Sequence, residues 1–559
     1  MAEENKSIVV YGGTLAGVAA AAKAAGHVDL EKTTITLIVP DPVDHNGNGV
    51  CLGGLATVGG QNYFDQRNWS RHGLPDVHPA QGTYAWWSDN GKQQFYGVKN
   101  LADTMKQDLA KYGSMISYYY GYDITSVSWG NGKISSVNLK QIKRDASTGV
   151  VVWENTTATV KGTVFIDASD SGRLTRLSNF GGTVGRYDFP AHALDASEKS
   201  SPGQGRQQVA TLMFKVTGID TSVREIDLSG KSPDGMRDVF VLPTAKEEHK
   251  EARGNGGKYA YKNNTTIVNF NNKYGPQGFV LKPFNAAQDG ENSAEWWVNM
   301  LLLFNVDGRA NNRDKGTSIF PADMRSDYKT VDDAWVAGRK MLENPEFLSA
   351  MRCFPGFQSA KLVMDSDGKP AVGKILYLRE TIHAAQSSSA RANGTENSNY
   401  GLHAMDCWNA GGSSSSGTDK RNYKKRIGLN YYYSDINGYK FEDLKDANGK
   451  YIWFDEVGQK IRSDIGVTDE TPKNPVYVPY DALATNFVYN LLIPGYAVGA
   501  SSFAWAEIRM LPNQCVLGDA AGVAAAYAVK NAKDPLNFSQ TDIANIQTLL
   551  KNSNALLEK

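Results

Sequence analysis

A glycine-rich turn near the start of the chain has the clearest chemical meaning. Residues 12–17 read Gly-Gly-Thr-Leu-Ala-Gly, after a strand-like run, Ser7–Tyr11, and before an alanine-rich helical segment that reaches about Ala25. Glycine lets a backbone turn tightly and approach a pyrophosphate, whose charge the helix N-terminus attracts. The turn predicts a dinucleotide site. A purely structural strand-to-helix turn is the alternative, because Thr14 replaces the middle glycine of the fingerprint.

The second strand, Thr34–Val39, ends without the acidic residue that usually binds the ribose of a dinucleotide. Asp41 follows two residues later and is the candidate for that contact. A solvated loop aspartate is the alternative interpretation.

Two later motifs also combine small and acidic residues. Residues 166–172 read Ile-Asp-Ala-Ser-Asp-Ser-Gly, and residues 517–524 read Leu-Gly-Asp-Ala-Ala-Gly-Val-Ala. For the second motif we expect a buried strand over Cys515–Gly518 and a helix over Ala520–Lys530. Asp519 would then accept a hydrogen bond from a ligand hydroxyl, and Gly522 would let the helix start close to that ligand.

Proton transfer in catalysis needs a titratable group near the substrate. The candidates are His383 and the pair His403 and Asp406, with a structural or surface role as the alternative for each histidine. Arg379 is a candidate anchor for a carboxylate substrate. For that arginine an internal ion pair with the adjacent Glu380 is the favoured interpretation.

Composition excludes several classes of function. Lys+Arg and Asp+Glu both number 59, so the formal charge is zero and gives no electrostatic reason to expect binding to nucleic acid or to an anionic membrane. The four cysteines contain no CxxC pair, so no metal site is expected. No run reaches the ~18 apolar residues of a membrane span, and the polar first residues do not resemble a signal peptide. We therefore expect a cytoplasmic protein.

The 559 residues exceed the usual size of a single core, so two domains are expected. The first strand, helix and second strand form a βαβ unit. Several β-runs between Met115 and Asp167 predict a β-meander that returns to a buried strand. Residues 187–474 mix strands, helices and polar loops, and the C-terminal part returns to an α/β pattern.

In their order and spacing these motifs resemble the bacterial FAD-dependent oxidoreductases, whose fold is related to that of glutathione reductase and the fumarate reductase flavoproteins. Further segments carry the resemblance: Leu52–Gly54, Thr211–Phe214, Arg379–Glu380, Tyr477–Tyr480, Asn490–Leu492 and Ile508–Met510. Arg509, just before the last motif, is a candidate to face the flavin. His45 and Cys51 lie where some related flavoproteins attach FAD covalently, but their spacing does not match, so a loop histidine and an inert thiol are expected.

The resemblance implies FAD as the cofactor. It places the glycine-rich turn at the pyrophosphate, the Ile124 backbone near the adenine, Ala168 on the adenine side and Asp519 at the ribityl chain. The implied cofactor-binding residues are Gly12, Gly13, Thr14, Leu15, Ala16, Gly17, Asp41, Gly53, Gly54, Ile124, Ala168, Gly518, Asp519, Gly522 and Val523.

The expected fold is α/β: a glutathione-reductase-like Rossmann FAD-binding domain with a β-meander insertion, formed by residues 1–186 and 475–559, and a mixed α+β substrate domain over 187–474. The expected function is two-electron, hydride-based oxidation or reduction of a small organic substrate at flavin N5, with an unidentified electron acceptor or donor as the second partner. A flavin monooxygenase or halogenase, which residues 165–173 also resemble, and a non-catalytic module that has lost its cofactor are the alternatives. The sequence leaves the oligomeric state open.

Overall fold

The computed structural model describes residues 6–65, 80–91, 93–178, 182–185, 205–223, 225–226, 238–239, 253–384, 401–414, 419–452, 454–463, 474–484 and 488–559. Within these residues the helices are α1 (Leu15–Ala25), α2 (Gly82–Trp87), α3 (Val98–Ala110), α4 (Arg173–Leu177), α5 (Lys258–Asn263), α6 (Thr265–Tyr274), α7 (Val331–Leu342), α8 (Pro345–Met351), α9 (Ala404–Trp408), α10 (Asp419–Tyr423), α11 (Phe454–Ser463), α12 (Ser502–Ile508), α13 (Leu511–Asn531) and α14 (Gln540–Asn552).

The strands are β1 (Lys6–Tyr11), β2 (Thr33–Val39), β3 (Ile116–Tyr120), β4 (Tyr122–Gly130), β5 (Lys133–Arg144), β6 (Val151–Lys161), β7 (Val164–Asp167), β8 (Gly182–Val184), β9 (Ala210–Thr217), β10 (Glu225–Ile226), β11 (Asp238–Val239), β12 (Arg253–Gly256), β13 (Phe279–Gln288), β14 (Trp296–Leu303), β15 (Val306–Asp307), β16 (Lys329–Thr330), β17 (Lys361–Leu362), β18 (Ile382–Ala384), β19 (Arg426–Asn430), β20 (Val476–Pro479) and β21 (Leu491–Leu492).

A parallel sheet with the order β21-β7-β1-β2-β3 forms the centre of the fold. β1 pairs with β2 from Lys6 opposite Thr33 to Tyr11 opposite Ile38, and β7 pairs along its other edge. β21, from the C-terminal part of the chain, extends the sheet beside β7. The predicted βαβ unit is confirmed, and the carboxyl ends of the strands meet at one edge, where α/β sheets bind their ligands.

The two faces of this sheet are covered by different layers. Ile8 and Val10 of β1 pack in a core with α1 and α13, whereas Val9 and Tyr11 pack in a second core with strands β4 and β5. Burial on both faces explains why β1 is apolar without alternation. β4, β5 and β6 form the predicted antiparallel meander, which covers the second face.

The predicted strand over Cys515–Gly518 is wrong, because residues 511–531 form one helix, α13. This helix packs closely against α1: a Cβ on Gly518 would lie 2.2 Å from the Ala16 carbonyl oxygen, and one on Gly522 would lie 2.3 Å from the Ala20 carbonyl oxygen. The run before Gly518 is apolar because this part of α13 is buried on all sides. A short apolar run of that kind has no period that separates a buried strand from a buried helix.

The middle of the chain builds a five-stranded antiparallel sheet with the order β12-β13-β14-β9-β17. The pairing of β13 with β14 is irregular between Leu281 and Asn285, and Pro283 lies in that interval. Such irregularities bend a strand and redirect its side chains. Lys282, next to the proline, is only 3% exposed. No helix among the described residues is long and apolar enough to cross a membrane.

Candidate functional site

The turn between β1 and α1 is built for close approach. Gly12 has a φ of 121°, and a Cβ there would lie 2.6 Å from the carbonyl carbon of Ala168. Thr14 is the N-cap of α1: its hydroxyl accepts a hydrogen bond from the Gly17 N–H and donates one to the Ala168 carbonyl at 2.7 Å. Leu15 and Ala16 form the buried first turn of α1. The threonine in place of the fingerprint glycine thus stabilises the helix start as a cap.

The segment after β2 lies against this turn. The Gly53 N–H donates to the Gly13 carbonyl at 2.6 Å, and Gly53 forms a bridge with Thr14. A Cβ on Gly54 would lie 3.1 Å from the Thr14 Cα. The structure therefore brings together two motifs that the sequence analysis assigned to one site.

A cavity of about 100 Å³ opens at the carboxyl ends of β1, β2 and β7. Its lining includes the start of the turn and several acidic groups: Gly12, Gly13, Thr14, Asp41, Asp123, Ser169, Asp170 and Asp332. It adjoins a groove of about 740 Å³, with which it shares Pro42, Arg144, Trp335 and Lys374. The N-terminus of α1 therefore faces a cavity that is connected to solvent.

Two carboxyl groups in this lining have strongly raised pKa values. Burial, together with the charge of Asp123, raises the pKa of Asp41 to about 7. Burial, together with the charges of Asp41 and Asp167, raises the pKa of Asp170 to about 8. At neutral pH these groups are partly protonated, so they both donate and accept hydrogen bonds and repel a phosphate less than ionised carboxylates do. The residues present fit the ribose and diphosphate of a dinucleotide.

Ile124 lies in β4 with its backbone groups engaged by protein atoms. Its N–H binds the Asp123 carboxylate at 2.8 Å, and its carbonyl accepts a hydrogen bond from Arg173 at 2.7 Å. Asp123 itself lines the cavity and accepts from the Tyr11 hydroxyl at 2.6 Å. Burial acts to raise the pKa of Asp123, but Arg173 and Arg313 outweigh it and hold the pKa below its usual value. The ionised group nearest the predicted adenine contact is thus Asp123.

Asp519 lies in the middle of α13 and holds α2. Its carboxylate accepts a hydrogen bond from the Thr83 N–H at 2.8 Å and also contacts the Thr83 hydroxyl. Burial raises the pKa of Asp519 to about 7. Val523 packs in the core that α13 shares with α1. In this structure the C-terminal motif connects α13 with α2 through Asp519 and with α1 through Val523. Its contact with the cofactor stays a prediction.

Residues 374–379 form a short segment between the cavity and a second group of polar residues. Lys374, Ile375, Leu376 and Leu378 line the cavity. Tyr377 and Arg379 contact the second group: the Tyr377 hydroxyl contacts Arg509, and Arg379 donates to the Val209 carbonyl at 2.8 Å and to the Thr211 hydroxyl at 2.9 Å. Backbone hydrogen bonds between Tyr377 and Thr211 hold the middle of the segment beside β9.

We call the residues on that far side, Lys282, Tyr377, Arg379, Asp435 and Arg509, the junction cluster. Lys282, Arg379 and Arg509 are each 3% exposed. Arg509 forms an ion pair with Asp435 at 2.8 Å. Burial, and then the charge of Arg379, lower the pKa of Lys282 to about 7. The cluster therefore concentrates cationic groups in a dry interior.

A chain of contacts connects the cavity with the junction cluster. The Tyr496 N–H donates to the Ser169 carbonyl at 3.1 Å, and the Tyr496 ring lies 4.8 Å from the ring of Trp505. The indole N–H of Trp505 donates to the Arg379 carbonyl at 2.8 Å. Two aromatic residues thus bridge the wall of the cavity and Arg379.

The predicted acid–base candidates have different protein partners. Glu380 binds His383, with 2.9 Å between Oε1 and Nε2, so the favoured ion pair between Arg379 and Glu380 is wrong. The ring of His383 stands edge-on to Trp505, 6.2 Å away. The His403 N–H donates to Asp406 at 2.9 Å, and their helix, α9, packs on α12. Arg379 belongs to the cluster, and His383 reaches it through Trp505.

The remaining candidates near the second strand are held by protein groups. The His45 Nε2 lies 2.8 Å from the Ile142 carbonyl, and the buried Cys51 thiol donates to the Gly47 carbonyl at 3.5 Å. Burial raises the pKa of the Cys51 thiol, which disfavours the reactive thiolate. Among the described residues no group of three or more His, Cys, Asp or Glu side chains is placed to bind a metal.

Sequence reasoning missed Lys282, Tyr377 and Asp435. A signal existed for Lys282, because a proline inside an apolar strand-like run marks an irregular strand. Tyr377 and Asp435 had no such signal. They belong to segments far apart in sequence, and only the fold brings them next to Arg509.

Comparison with known proteins identifies the family. Similar solved structures include a geranylgeranyl bacteriochlorophyll reductase-like protein from Thermoplasma acidophilum (9% identity, 98% of this chain, 84% of that chain, TM-score 0.34). Another is CtdE in complex with FAD (8% identity, 98% of this chain, 93% of that chain, TM-score 0.32). A third is the p-nitrophenol 4-monooxygenase PnpA from Pseudomonas putida DLL-E4 (9% identity, 68% of this chain, 70% of that chain, TM-score 0.28). No curated protein matches the sequence. The family described as FAD dependent oxidoreductase matches residues 7–550, so the chain belongs to this family and is an FAD-dependent oxidoreductase.

Proposed function

We propose that this enzyme oxidises or reduces a small organic substrate by hydride transfer at flavin N5, with the substrate at the junction cluster. Segment 374–379 is the observation that supports this proposal most. It presents Leu376 and Leu378 to the cavity beside the glycine-rich turn, and Tyr377 and Arg379 to the buried cationic cluster. FAD bound in the cavity would supply the two-electron chemistry, and the protein would orient the substrate and exclude water.

The cofactor placement follows from the cavity. The turn of Gly12, Gly13 and Thr14 and the N-terminus of α1 would hold the diphosphate, because backbone N–H groups and the helix dipole favour negative charge there. Asp41 and Asp170 would bind ribose hydroxyls. The neighbouring Gly53–Gly54 segment would run alongside the flavin.

The domain division is part of the same proposal. Residues 1–186 and 475–559 would form a glutathione-reductase-like FAD domain, supported by the place of β21 beside β7 in the parallel sheet. Residues 187–474 would form the substrate domain, which contributes Lys282, Tyr377, Arg379 and Asp435. Arg509 comes from the C-terminal part, so the cluster lies where the two proposed domains meet.

Lys282 is the group we assign to proton transfer. When a substrate C–H bond gives up its hydride, the accompanying proton of a hydroxyl or amine needs an acceptor. With its pKa lowered to about 7 by burial and by Arg379, the Lys282 amine is partly neutral at neutral pH and can accept that proton. His383, bound to Glu380, would act as a positioning residue for Trp505 and Arg379.

The decisive experiment is the visible absorption of the purified protein before and after acid precipitation, followed by anaerobic mixing with a substrate library. Flavin bands released to the supernatant, and bleaching by an organic substrate in the absence of oxygen, are the expected results. Protein that stays colourless after addition of FAD would refute the proposal. Rapid NADPH consumption in air with hydroxylated or halogenated products would favour a monooxygenase or halogenase.

A further inference from the structure

The two arginines of the junction cluster differ in their partners. Arg509 has Asp435 as its partner, at 2.8 Å. Within the described part of the chain, Arg379, equally buried, donates to two neutral acceptors, the Val209 carbonyl and the Thr211 hydroxyl, and its Nε is buried without an acceptor. Among the described residues no carboxylate forms an ion pair with Arg379, because the adjacent Glu380 binds His383. Burial lowers the pKa of Arg379, and repulsion from Arg509 opposes protonation further.

A buried guanidinium without a carboxylate partner is expensive, since removing a charge from water costs several kcal/mol unless an opposite charge replaces the solvent. The Tyr377 ring, whose centre lies 4.4 Å from the Arg379 guanidinium, offsets only part of this cost. Proteins keep such a group where a ligand supplies the anion. The fork of an arginine matches a carboxylate better than a spherical ion, because two N–H donors can bind two oxygens in parallel. The buried Nε of Arg379 and its uncommitted second terminal nitrogen are the pair of donors that such a contact uses.

We propose that the substrate is a small organic anion with a carboxylate group, and that Arg379 is the counter-ion of this carboxylate. The inference rests on the proposed function, because it places the substrate at the junction cluster. It also accounts for the neighbouring groups: Asp435 neutralises Arg509, so the incoming carboxylate pairs with the remaining arginine. The Thr211 and Val209 acceptors hold one side of the guanidinium and fix its orientation.

Several charged and titratable groups of the described residues act on Arg379. They are Tyr63 from the segment after Gly53–Gly54, Lys282 from β13, Tyr377 from the same segment, Asp435 after β19, and Arg509 at the end of α12. Asp65 and Asp435 act on Lys282 as well. A carboxylate bound to Arg379 would neutralise its guanidinium, whereas an added cation would be repelled by Arg379 and Arg509.

The test uses the FAD-loaded enzyme and a panel of carboxylates with their amides: formate, acetate, succinate and benzoate against formamide, acetamide, succinamide and benzamide. Binding is measured by perturbation of the flavin absorption and, independently, by the rise of Tm in the apoprotein. We expect at least one carboxylate to bind saturably and its amide to bind at least about tenfold more weakly, as loss of a charge-assisted hydrogen-bond pair predicts. Absence of binding by every carboxylate, in an enzyme that retains FAD, would overturn the substrate class and leave the proposed function standing.

Variants separate a substrate contact from a cofactor contact. Arg379→Met should weaken the carboxylate about tenfold to a hundredfold with unchanged flavin content, and Arg379→Lys should recover part of the affinity. Arg352→Met is the matched control, since Arg352 is exposed and also binds a carbonyl, that of Ala360. If Arg379→Met loses FAD but the residual holoenzyme binds the carboxylate as before, Arg379 faces the flavin and the inference is wrong. If the wild-type protein itself fails to bind FAD, the proposed function fails instead.

Discussion

The glycine-rich cavity and the junction cluster are opposite kinds of site, on the two sides of segment 374–379. The cavity is formed by backbone, by a helix N-terminus and by acids whose pKa values are raised to about 7 and about 8. The cluster is formed by long cationic side chains, and the pKa of its lysine is lowered to about 7. In the proposed function the cavity would bind the cofactor through close backbone approach, and the cluster would bind the substrate through charge.

The difference shows which parts of a site a sequence can specify locally. The cavity depends on consecutive residues whose spacing is fixed by one turn. The cluster depends on residues from β13, segment 374–379, the segment after β19 and α12, which the chain places far apart. We therefore expect the cavity to be sensitive to added atoms and the cluster to be sensitive to removed charge.

The largest effect should come from an added methyl group in the glycine-rich turn. Gly12→Ala places a Cβ 2.6 Å from the Ala168 backbone at a φ of 121°, so both the turn and the end of β7 must shift. We expect purified protein with little or no flavin and a free energy of unfolding lowered by more than ~3 kcal/mol. The flavin-to-protein absorbance ratio and chemical denaturation measure the two effects.

Gly316→Ala is the control for this variant, because Gly316 has a φ of 81° and nothing near the position of its Cβ. It carries only the left-handed strain of roughly 1–2 kcal/mol. Equal losses of stability in the two variants, with full flavin content in both, would show that close approach to Ala168 is unimportant and would break the comparison between the two sites.

The next effect should come from the crossing of α1 and α13. Gly518→Ala puts a Cβ 2.2 Å from the Ala16 carbonyl oxygen, a backbone atom that cannot move alone. We expect a loss of about 2–3 kcal/mol in the free energy of unfolding and weaker FAD retention, since α1 carries the N-terminus at the cavity. Urea denaturation and flavin content provide the measurements.

Gly338→Ala in α7 is the matched helical control. Its Cβ would meet the ends of the Leu212 and Leu303 side chains at 3.0 and 3.1 Å, and these can adjust. Because alanine favours the helix by up to about 1 kcal/mol, this variant should be nearly neutral or slightly stabilising. A Gly518→Ala protein as stable as this control would mean that the close crossing does not contribute to stability.

The sequence predicted the cavity better than the cluster for physical reasons. β1, α1, β2 and the meander were predicted because their apolar periods, turn glycines and strand lengths are local signals. The strand predicted at Cys515–Gly518 failed because a completely buried helix is as apolar as a buried strand. The favoured internal pair of Arg379 with Glu380 also failed, because Glu380 binds His383 whereas Arg379 donates to Val209 and Thr211.

Lys282 gives a third test, in which removing a charge should stabilise the protein. Its pKa is about 7 in the folded state and that of an ordinary lysine when unfolded, so the unfolded state binds more protons between about pH 7 and pH 10. Stability from this group therefore rises with pH across that window, and its penalty is complete below it. Lys282→Met should be more stable than wild type by on the order of 2 kcal/mol near pH 6, and the difference should shrink by about pH 10.

Thermal unfolding of both apoproteins across this pH range provides the measurement, with the exposed Lys361→Met in β17 of the same sheet as the control. Substrate turnover by Lys282→Met should fall and should lose the rise with pH that a neutral amine gives. A Lys282→Met protein that is less stable than wild type near pH 6 would show that burial does not penalise the charged amine, and the cluster would no longer differ from the cavity in this respect.

The smallest effect should appear at the cavity with its acidic residues, in the pH dependence of FAD binding. With its pKa raised to about 8 by burial and by Asp41 and Asp167, Asp170 is mostly protonated at pH 6 and mostly ionised at pH 9 or so. Its ionised form repels the diphosphate, so the Kd for FAD in wild type should increase about threefold to tenfold over that range. Asp170→Asn keeps the shape and removes the charge, and its Kd should change much less.

Fluorescence quenching of FAD at several pH values measures this slope, and Asp29→Asn, at an exposed position that lines neither the cavity nor the groove, controls for the loss of one carboxylate. The folded-state pKa of Asp170 lies above the unfolded value, so apoprotein stability contributed by this group falls as pH rises from about 4 to about 8. Lys282 changes stability in the opposite direction at higher pH. The Kd for FAD could instead change equally with pH in wild type and in Asp170→Asn. The cavity would then not hold the diphosphate near Asp170, and charge could not be used to assign the cavity to the cofactor and the junction cluster to the substrate.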